Sequence, residues 1–383
     1  MRALCGTWWG SDPKILKLIH EALILSHLNY GGQFLSTCPK YILKKLDQMH
    51  YQSIRIITGC MKSTPIQALL SESGELPLKY RREWLTTKFL LKNLSIKNNP
   101  VIQSIIELEA LCNMDNKYWR NKEKPILIAT IRKIQPYLQN LYSSKLLPCH
   151  EYDLELQLQP LGILNENITK NEFNLMNFVN LVKKFHSYKK FFTDGSTDTI
   201  GNAGFGVFSP DINYSFSSKL PNHTQICTAE VTAINHAVQI IREQNITEAI
   251  IFSDSKSALQ KIKKTGFSKD TEHISYLTKT GIILARNNNI KILLAWIPGH
   301  TGITGNYKAD QLANIGRSLN IPMNIKLEFS NFTPYLKREI WSNWAAEWYE
   351  GYGTKRAIAH PLFIYLELES KMILIANVAK WEA

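Results

Sequence analysis

Four carboxylates lie where the sequence pattern would bring acidic side chains to one edge of a sheet. Asp194 follows two aromatic residues in FFTDGS, and Asp254 follows a short apolar run in AIIFSD. Because ligands of α/β proteins bind at the ends of the strands, we expect these two carboxylates to meet there. Glu230 lies early in a predicted helix, and Asp310 lies in a later one, four residues after Asn306 and on the same face.

Four carboxylates in one place would need a cation to offset their charge. Like charges ~4 Å apart repel by roughly 1 to 4 kcal/mol per pair, depending on the effective dielectric. Glu230 lies beside Ala229 and Ala233 on the apolar stripe of its helix, where an uncompensated charge is costly. Oxygen-only ligands suit Mg²⁺, with Mn²⁺ as a substitute. Two such ions ~3.5 to 4 Å apart would hold the attacking and leaving oxygens of a phosphodiester, so the acids predict metal-assisted phosphodiester chemistry.

The segment after Lys190 alternates between strand-like and helix-like patterns. FFTDGSTDTIGNAGFGVF has turn residues between two apolar runs, which is typical of a β-hairpin. TAEVTAINHAVQIIREQN has apolar residues at helical spacing. Strands that alternate with helices indicate an α/β fold whose sheet has mixed strand directions. The other predicted elements are the strand YSFSSKL, the strand AIIFSDS, the helices SKSALQKIKK and HISYLTKTGIILARNNN, the strand IKILLAWIP and the helix NYKADQLANIGRSL.

The region from Pro13 to about Asn140 has mainly helical periodicity. Its first predicted helix has Asp12 as the capping residue and Pro13 at the first position, and a second helix ends at Gly59. Basic residues recur through these helices with aromatic residues among them. This pattern is compatible with a nucleic-acid-binding face and equally with solvated helix faces above core aromatics. The aromatic residues in question are Tyr51, Tyr80, Trp84 and Phe89, and the basic ones are Lys44, Lys45, Arg55, Lys62, Lys79, Arg81, Arg82, Lys88, Lys92 and Lys97.

The bulk composition limits the class of partner. The chain has 383 residues, 44% of them hydrophobic, and a formal net charge of +13. This charge favours a polyanion, with nucleic acid the commonest, although anionic membrane surfaces attract the same charge. We expect an intracellular protein that does not enter the membrane, because no stretch approaches ~18 apolar residues and the N-terminus lacks the apolar core of a signal peptide. The six cysteines form no CxxC pair, which argues against a zinc site.

The sequence runs TDGS, AEVTAI, SDSKSAL and WIPGHTGITGNYKADQLA, in this order, resemble a type 1 ribonuclease H domain over about residues 188–319. The resemblance implies a ribonuclease H-like mixed five-stranded sheet flanked by helices, and hydrolysis of the RNA strand of RNA/DNA hybrids. It implies that Asp194 bridges two metal ions, that Asp310 completes the site of the attacking water, and that Glu230 and Asp254 hold the metal on the leaving-group side. His300 matches a loop histidine that assists proton transfer or product release.

Two other residues in the run WIPGHTGITGNYKADQLA bear on the resemblance, one as a match and one as a departure. Asn306 matches a polar residue beside the site. Tyr307 stands where the family usually carries glutamate. Because that glutamate is not a metal ligand, we expect the tyrosine to change local loop packing and to leave the chemistry intact.

The helical region resembles the part that follows the polymerase palm in jockey-like non-LTR retrotransposon proteins. The resemblance lies in WWGSDPKILKLIHEALILSHLNYG and in the run from LKKLDQMHYQSIRIITG to LPLKYRR, and the polymerase YxDD motif is absent. It implies the C-terminal part of a reverse transcriptase without its palm, with hydrolase but no polymerase activity. The predicted organisation is a helical region over 1–142, a linker over 143–187, a ribonuclease H domain over 188–319 and a C-terminal extension of unassigned function over 320–383.

Other functions compete with that of an active nuclease. A decayed, catalytically inactive remnant would bind nucleic acid without cutting it, although the intact acids argue against that. An integrase-like or transposase-like nuclease is disfavoured by the GHTGITGN loop. The run KKTGFSKDTEHI is too short for the extra basic handle with which some ribonucleases H bind their substrate. Part of the affinity for a hybrid must therefore come from the basic N-terminal helices or from a separate reverse transcriptase. The sequence leaves these two sources open.

Overall fold

The structure is a computed structural model that describes residues 2–5, 10–114, 124–143, 159–266 and 272–350. These residues form two compact units. The helical unit takes the described parts of Met1–Gln139 and Thr333–Ala383, and the sheet unit takes those of Asn140–Phe332. Among the described helices, none combines the length and the apolar character needed to cross a membrane. Residues 362–379, which are apolar in sequence, lie outside the described residues, as does part of the run KKTGFSKDTEHI.

The helical unit begins as the caps in the sequence predict. The side chain of Asp12 accepts a hydrogen bond of 2.7 Å from the backbone N–H of Lys14, and Gly59 ends the third helix with a φ of 67°. A π-helical segment, His20–Leu25, joins the first two α-helices. The α-helices are α1 (Pro13–Ile19), α2 (Ser26–Asn29), α3 (Lys40–Thr58), α4 (Ile66–Ser73), α5 (Leu78–Leu94), α6 (Pro100–Asn113) and α7 (Ile126–Leu138).

The sheet unit contains the mixed sheet that the alternating pattern predicts. The strands are β1 (Ile163–Leu164), β2 (Lys189–Thr197), β3 (Ala203–Ser209), β4 (Tyr214–Leu220), β5 (Glu248–Ser253) and β6 (Lys291–Trp296). Their order in the sheet is β1-β6-β5-β2-β3-β4. The pairs β1–β6, β6–β5 and β5–β2 are parallel, and the pairs β2–β3 and β3–β4 are antiparallel. The helices are α8 (Leu175–Lys184), α9 (Ile226–Glu243), α10 (Lys256–Lys264), α11 (His273–Asn287), α12 (Thr304–Ser318) and α13 (Phe329–Trp348), the last of which continues into the helical unit.

The sheet has six strands where five were predicted, because the expected linker over 143–187 contributes one. Its described part contains β1, which pairs with β6, and helix α8. Phe173 is buried in the core of the unit, and the ring of Phe178 lies 5.4 Å from that of Phe252. A strand of two residues is too short to show alternation, so no pattern in the sequence could reveal it.

Helix α12 lies directly on the backbone of the β2–β3–β4 side of the sheet. A Cβ added at Gly204 would be 2.1 Å from the backbone nitrogen of Arg317, and one at Gly206 would be 2.4 Å from the carbonyl oxygen of Ala309. Any side chain on these two residues would push the helix away. The glycines of AGFGVF therefore serve to bring α12, and with it Asp310, close to β2.

We expect Gly206→Ala to destabilise the sheet unit by about 2 to 3 kcal/mol, because the added methyl group meets backbone atoms that cannot move aside independently. Gly162→Ala is the matched control, since a Cβ at Gly162 has open space around it. Chemical denaturation of the two variants beside the wild type measures the difference. Equal stability of the two alanine variants would contradict this account of the helix–sheet contact.

Three of the four aromatic residues singled out in the helical region lie in or against the core of the helical unit, whereas Phe89 contacts the exposed Phe34. Tyr80 is buried, and Tyr51 and Trp84 pack against the same core. Arg81 lies 3.6 Å from Glu75 in an ion pair, which removes it from the exposed basic set. The positions of Tyr51, Tyr80 and Trp84 agree with the interpretation of core aromatics, and exposed lysines remain as surface cations of the unit. Those in the described part are Lys14, Lys40, Lys44, Lys45, Lys62, Lys79, Lys88, Lys92, Lys97 and Lys124.

The expected C-terminal extension contributes its described helix to this core. The described residues 333–350 belong to the helical unit, where Trp344 is fully buried with Ile54 and Leu69. Its indole N–H donates to Oε1 of Gln67 over 3.4 Å. A long-range contact of this kind leaves no local signal in the sequence.

Candidate metal centre

Strand register places Asp194 beside Asp254. The last parallel pair between β2 and β5 joins Thr193 to Ser253, and the two aspartates are the next residues along the chain. Asp254 directly follows the end of β5, whereas Asp194 lies within β2, which continues to Thr197 through antiparallel pairing with β3. The two carboxylates thus leave the sheet at the point where β2 and β5 part.

Glu230 reaches the same point from helix α9. A Cβ added at Gly195 would lie 2.8 Å from the backbone nitrogen of Glu230, so the glycine next to Asp194 lets α9 contact β2. Glu230 is only 5% exposed, and no residue in the described part of the chain donates to its buried Oε2. Such an atom is costly unless a ligand satisfies it.

Three of the four predicted acids come together closely, and the fourth faces the same cleft. Asp194, Glu230 and Asp254 each offer an oxygen within 4.8 Å of the others. Asp310 projects from α12 and is half-buried, outside this tight group. A cleft of about 580 Å³ contains all four side chains. It is also lined by Gly195, His300, Thr301, Gly302, Ile303, Thr304, Asn306 and Tyr307.

The protein environment disfavours negative charge at all three clustered acids. Burial, followed by repulsion from Asp254 and Asp310, raises the pKa of Asp194 to about 8. Burial and the charges of Asp194 and Asp254 raise the pKa of Glu230 well above its ordinary value. The pKa of Asp254 is also raised, chiefly by burial. A divalent cation would reverse this cost, because it favours the ionised carboxylates.

Asp254 is held by two contacts. The side-chain amide of Asn306 donates to Oδ2 of Asp254 over 3.2 Å, and the indole of Trp296 donates to the Asp254 backbone carbonyl over 3.0 Å. A Cβ at Gly299 would lie 2.7 Å from the same Oδ2, so the loop backbone passes close to this carboxylate. Asn306, which the sequence placed beside the site, therefore orients Asp254.

His300 lies on the loop before α12. Its φ of 59° is left-handed, a conformation that non-glycine residues seldom adopt and that Asn and His accept more readily than most. Its charge lowers the pKa of Asp254, which agrees with its place on the cleft. Tyr307, which stands where a glutamate is usual in the family that the motifs resemble, is 61% exposed and lines the same cleft.

Three polar residues near Asp310 were missed by the sequence analysis. Ser196, Asn314 and Arg317 form hydrogen bonds that connect β2 to Asp310. One signal was available, because Asn314 follows Asp310 by four residues and so lies on the same helix face. No local pattern links either residue to Ser196.

The donor set fits a hard divalent cation. It consists only of carboxylate oxygens near a buried, unsatisfied Oε2 of Glu230, and oxygen ligands are the preference of Mg²⁺ and Mn²⁺. In the described part of the chain, Asp194, Glu230 and Asp254 are the only group of three or more metal-ligating side chains this close together.

Comparison with known proteins gives one family match and several curated relatives. Residues 186–318 match the family model described as RNase H. Ribonuclease H1 from Homo sapiens is 27% identical over 139 residues, covering 33% of this chain and 48% of that protein. Ribonuclease H1 from Mus musculus is 28% identical over 140 residues, with the same shares.

A bacterial protein is covered more fully. Ribonuclease H from Ruthia magnifica subsp. Calyptogena magnifica is 29% identical over 139 residues, which are 32% of this chain and 91% of that protein. The chain spans about half the length of the two mammalian relatives. The family match covers β2 to α12, the segment that carries all four acids. Residues 186–318 therefore form an RNase H domain.

Proposed function

We propose that this protein is a metal-dependent endonuclease that hydrolyses the RNA strand of RNA/DNA hybrids. The observation that carries the proposal is the group of Asp194, Glu230 and Asp254 within 4.8 Å, with Asp310 in the same cleft. The location of this group in the segment that matches RNase H supports the choice of substrate.

The four acids are the proposed ligands of two Mg²⁺ ions, with Mn²⁺ as a substitute. Such ions, when bound, stabilise charge on the attacking and leaving oxygens of a phosphodiester and make water a better nucleophile. The chain itself contributes orientation, because Asn306 holds the Asp254 carboxylate and the close contact at Gly195 holds the backbone of Glu230 against β2. His300 is proposed to hold or pass a proton at its ring nitrogens, because it lines the cleft and histidine changes charge near neutral pH.

Selection of a hybrid would depend on shape. An A-form-like minor groove displays 2′-hydroxyls, so its recognition requires little base specificity. Two lysines near the missing basic handle are already paired, since Lys261 lies 2.7 Å from Glu272 and Lys263 lies 2.5 Å from Glu166. Part of the affinity for the hybrid would therefore come from exposed lysines of the helical unit or from a separate reverse transcriptase.

The proposal includes an origin in a jockey-like non-LTR retrotransposon, with the helical unit derived from the region after the polymerase palm. The order of the two units along the chain supports it. A nucleic-acid-binding remnant without activity is the alternative, and the intact acidic cluster weighs against it.

The direct test is cleavage of a hybrid whose RNA strand carries the label. We expect cleavage of that strand with Mg²⁺ and none with EDTA, because the clustered acids require a cation to act. The matching DNA duplex and RNA duplex, labelled on the same sequence, should stay intact. Binding of the hybrid without cleavage in either Mg²⁺ or Mn²⁺ would favour the inactive remnant.

A further inference from the structure

We propose that Ser196 and Asn314 are positioning residues for Asp310, in a hydrogen-bond chain whose direction is set by Arg317. The inference rests on the proposed function, because it assigns these residues a role in the same site. None of the three belongs to the set of acids and loop residues that the family resemblance assigns.

The chain of contacts is continuous from β2 to Asp310. Nη1 of Arg317 donates to Oγ of Ser196 over 3.0 Å and to the carbonyl of Thr197 over 3.3 Å. Oγ of Ser196 donates to Oδ1 of Asn314 over 2.8 Å. Nδ2 of Asn314 donates to Oδ1 of Asp310 over 3.0 Å and to the Asp310 backbone carbonyl, also over 3.0 Å.

The chemistry of the groups gives this chain one direction. A guanidinium can only donate, so Ser196 Oγ accepts from Arg317 and has its single hydrogen left for Asn314. Asn314 must then turn its carbonyl oxygen towards Ser196 and its amide hydrogens towards Asp310. Oδ1 of Asp310 is thereby fixed as an acceptor. Within the described residues its Oδ2 carries no such bond, which leaves that oxygen for the cleft.

Asp310 needs this support more than the buried acids do. Asp194 and Glu230 are buried and are held by backbone contact between β2 and α9, whereas Asp310 is half-buried. Ser196 follows Asp194 by two residues on one strand, and Asn314 follows Asp310 by four on one helix. The chain therefore runs beside the two acids and ties the position of one to the strand of the other.

The first experiment removes the donor to Asp310. We expect Asn314→Leu to lower kcat for a labelled hybrid by about 10- to 100-fold and to weaken Mn²⁺ binding without substrate to a similar degree, the range found for residues that orient metal ligands. KM for the hybrid should change little, because Asn314 does not line the cleft. Gln311→Leu is the matched control, an exposed position on the same helix, and should behave as wild type.

A second pair of variants separates positioning from packing. Asn314→Asp keeps the size of the side chain but replaces the donor by a like charge beside Asp310, so its kcat should fall at least as far as that of Asn314→Leu. A merely structural role predicts the opposite order. Ser196→Ala combined with Asn314→Leu should be no worse than Asn314→Leu alone, since both changes break one chain.

The outcomes that overturn the inference are specific. A kcat and a Mn²⁺ affinity of Asn314→Leu within twofold of wild type would do so, as would additive effects of the Ser196 and Asn314 changes. A wild-type protein that binds Mn²⁺ but leaves the hybrid intact would contradict the proposed function. In that case the Mn²⁺ affinities of the same variants still decide the inference.

Discussion

Asp194→Asn is expected to abolish hybrid cleavage and, in EDTA at pH 8, to melt about 5 °C above the wild-type protein, a shift that corresponds to about 2 kcal/mol for a unit of this size. Cleavage is lost because the proposed metal site loses one of its three clustered carboxylates. Stability rises because the metal-free protein crowds like charges, and the neutral amide removes one of them.

The gain in stability should depend on pH in a defined way. The pKa of Asp194 is raised from 3.8 to about 8 in the folded protein. Between these values the folded chain keeps a proton that the unfolded chain has lost, so the free energy of unfolding of the wild type falls as the pH rises. The amide that the Asp194→Asn change introduces cannot ionise, so this contribution to the fall in the free energy of unfolding is absent from the variant. The difference in melting temperature should be near zero at pH 4 and largest at pH 8.

Melting curves in EDTA from pH 4 to pH 8.5 test this expectation. Asp211→Asn is a control for the same chemical change, because Asp211 accepts hydrogen bonds from Lys190 and lies away from the cluster, and it should not melt higher than wild type. Saturating Mg²⁺ should stabilise the wild type and have less effect on Asp194→Asn, since ligand binding to the folded state raises stability. A clear fall of the Asp194→Asn melting temperature in EDTA would show that the acids do not crowd one site.

The second large effect concerns His300. We expect His300→Ala to retain detectable Mg²⁺-dependent cleavage at a rate ~10² to 10⁴ lower than wild type, the usual contribution of general acid–base help. Asp254→Asn should leave essentially none, because the metal site carries the larger share of the chemistry. Single-turnover rates across pH 6 to 9, divided by the folded fraction of each protein, provide the comparison.

The left-handed backbone of His300 makes a further control necessary. Alanine tolerates a φ of 59° poorly, so His300→Ala could lose activity through distortion of the loop. Asparagine accepts this conformation and lacks an imidazole. If His300 acts on protons, His300→Asn should be as slow as His300→Ala, and restored turnover in the asparagine variant would assign the histidine to loop structure instead.

Local patterns in the sequence predicted the elements that depend on neighbouring residues. The cap at Asp12, the end of α3 at Gly59 and the apolar stripe of α9 are interactions within one turn or one helix, so a short window contains all the relevant information. The alternation of strands and helices after Lys190 predicted the mixed sheet for the same reason. The ordered motifs then marked Asp194, Glu230, Asp254 and Asp310 as candidates.

Only the tertiary structure decided how the candidates are arranged. The meeting of Asp194 with Asp254 depends on the register between β2 and β5, and the approach of Asp310 depends on glycines of β3 that lie far before it in the sequence. The strand β1 and the Ser196–Asn314 chain were missed because each is defined by a partner far away in the sequence. Contacts of that kind are chosen by packing of the whole unit, and no pattern of neighbouring residues encodes them.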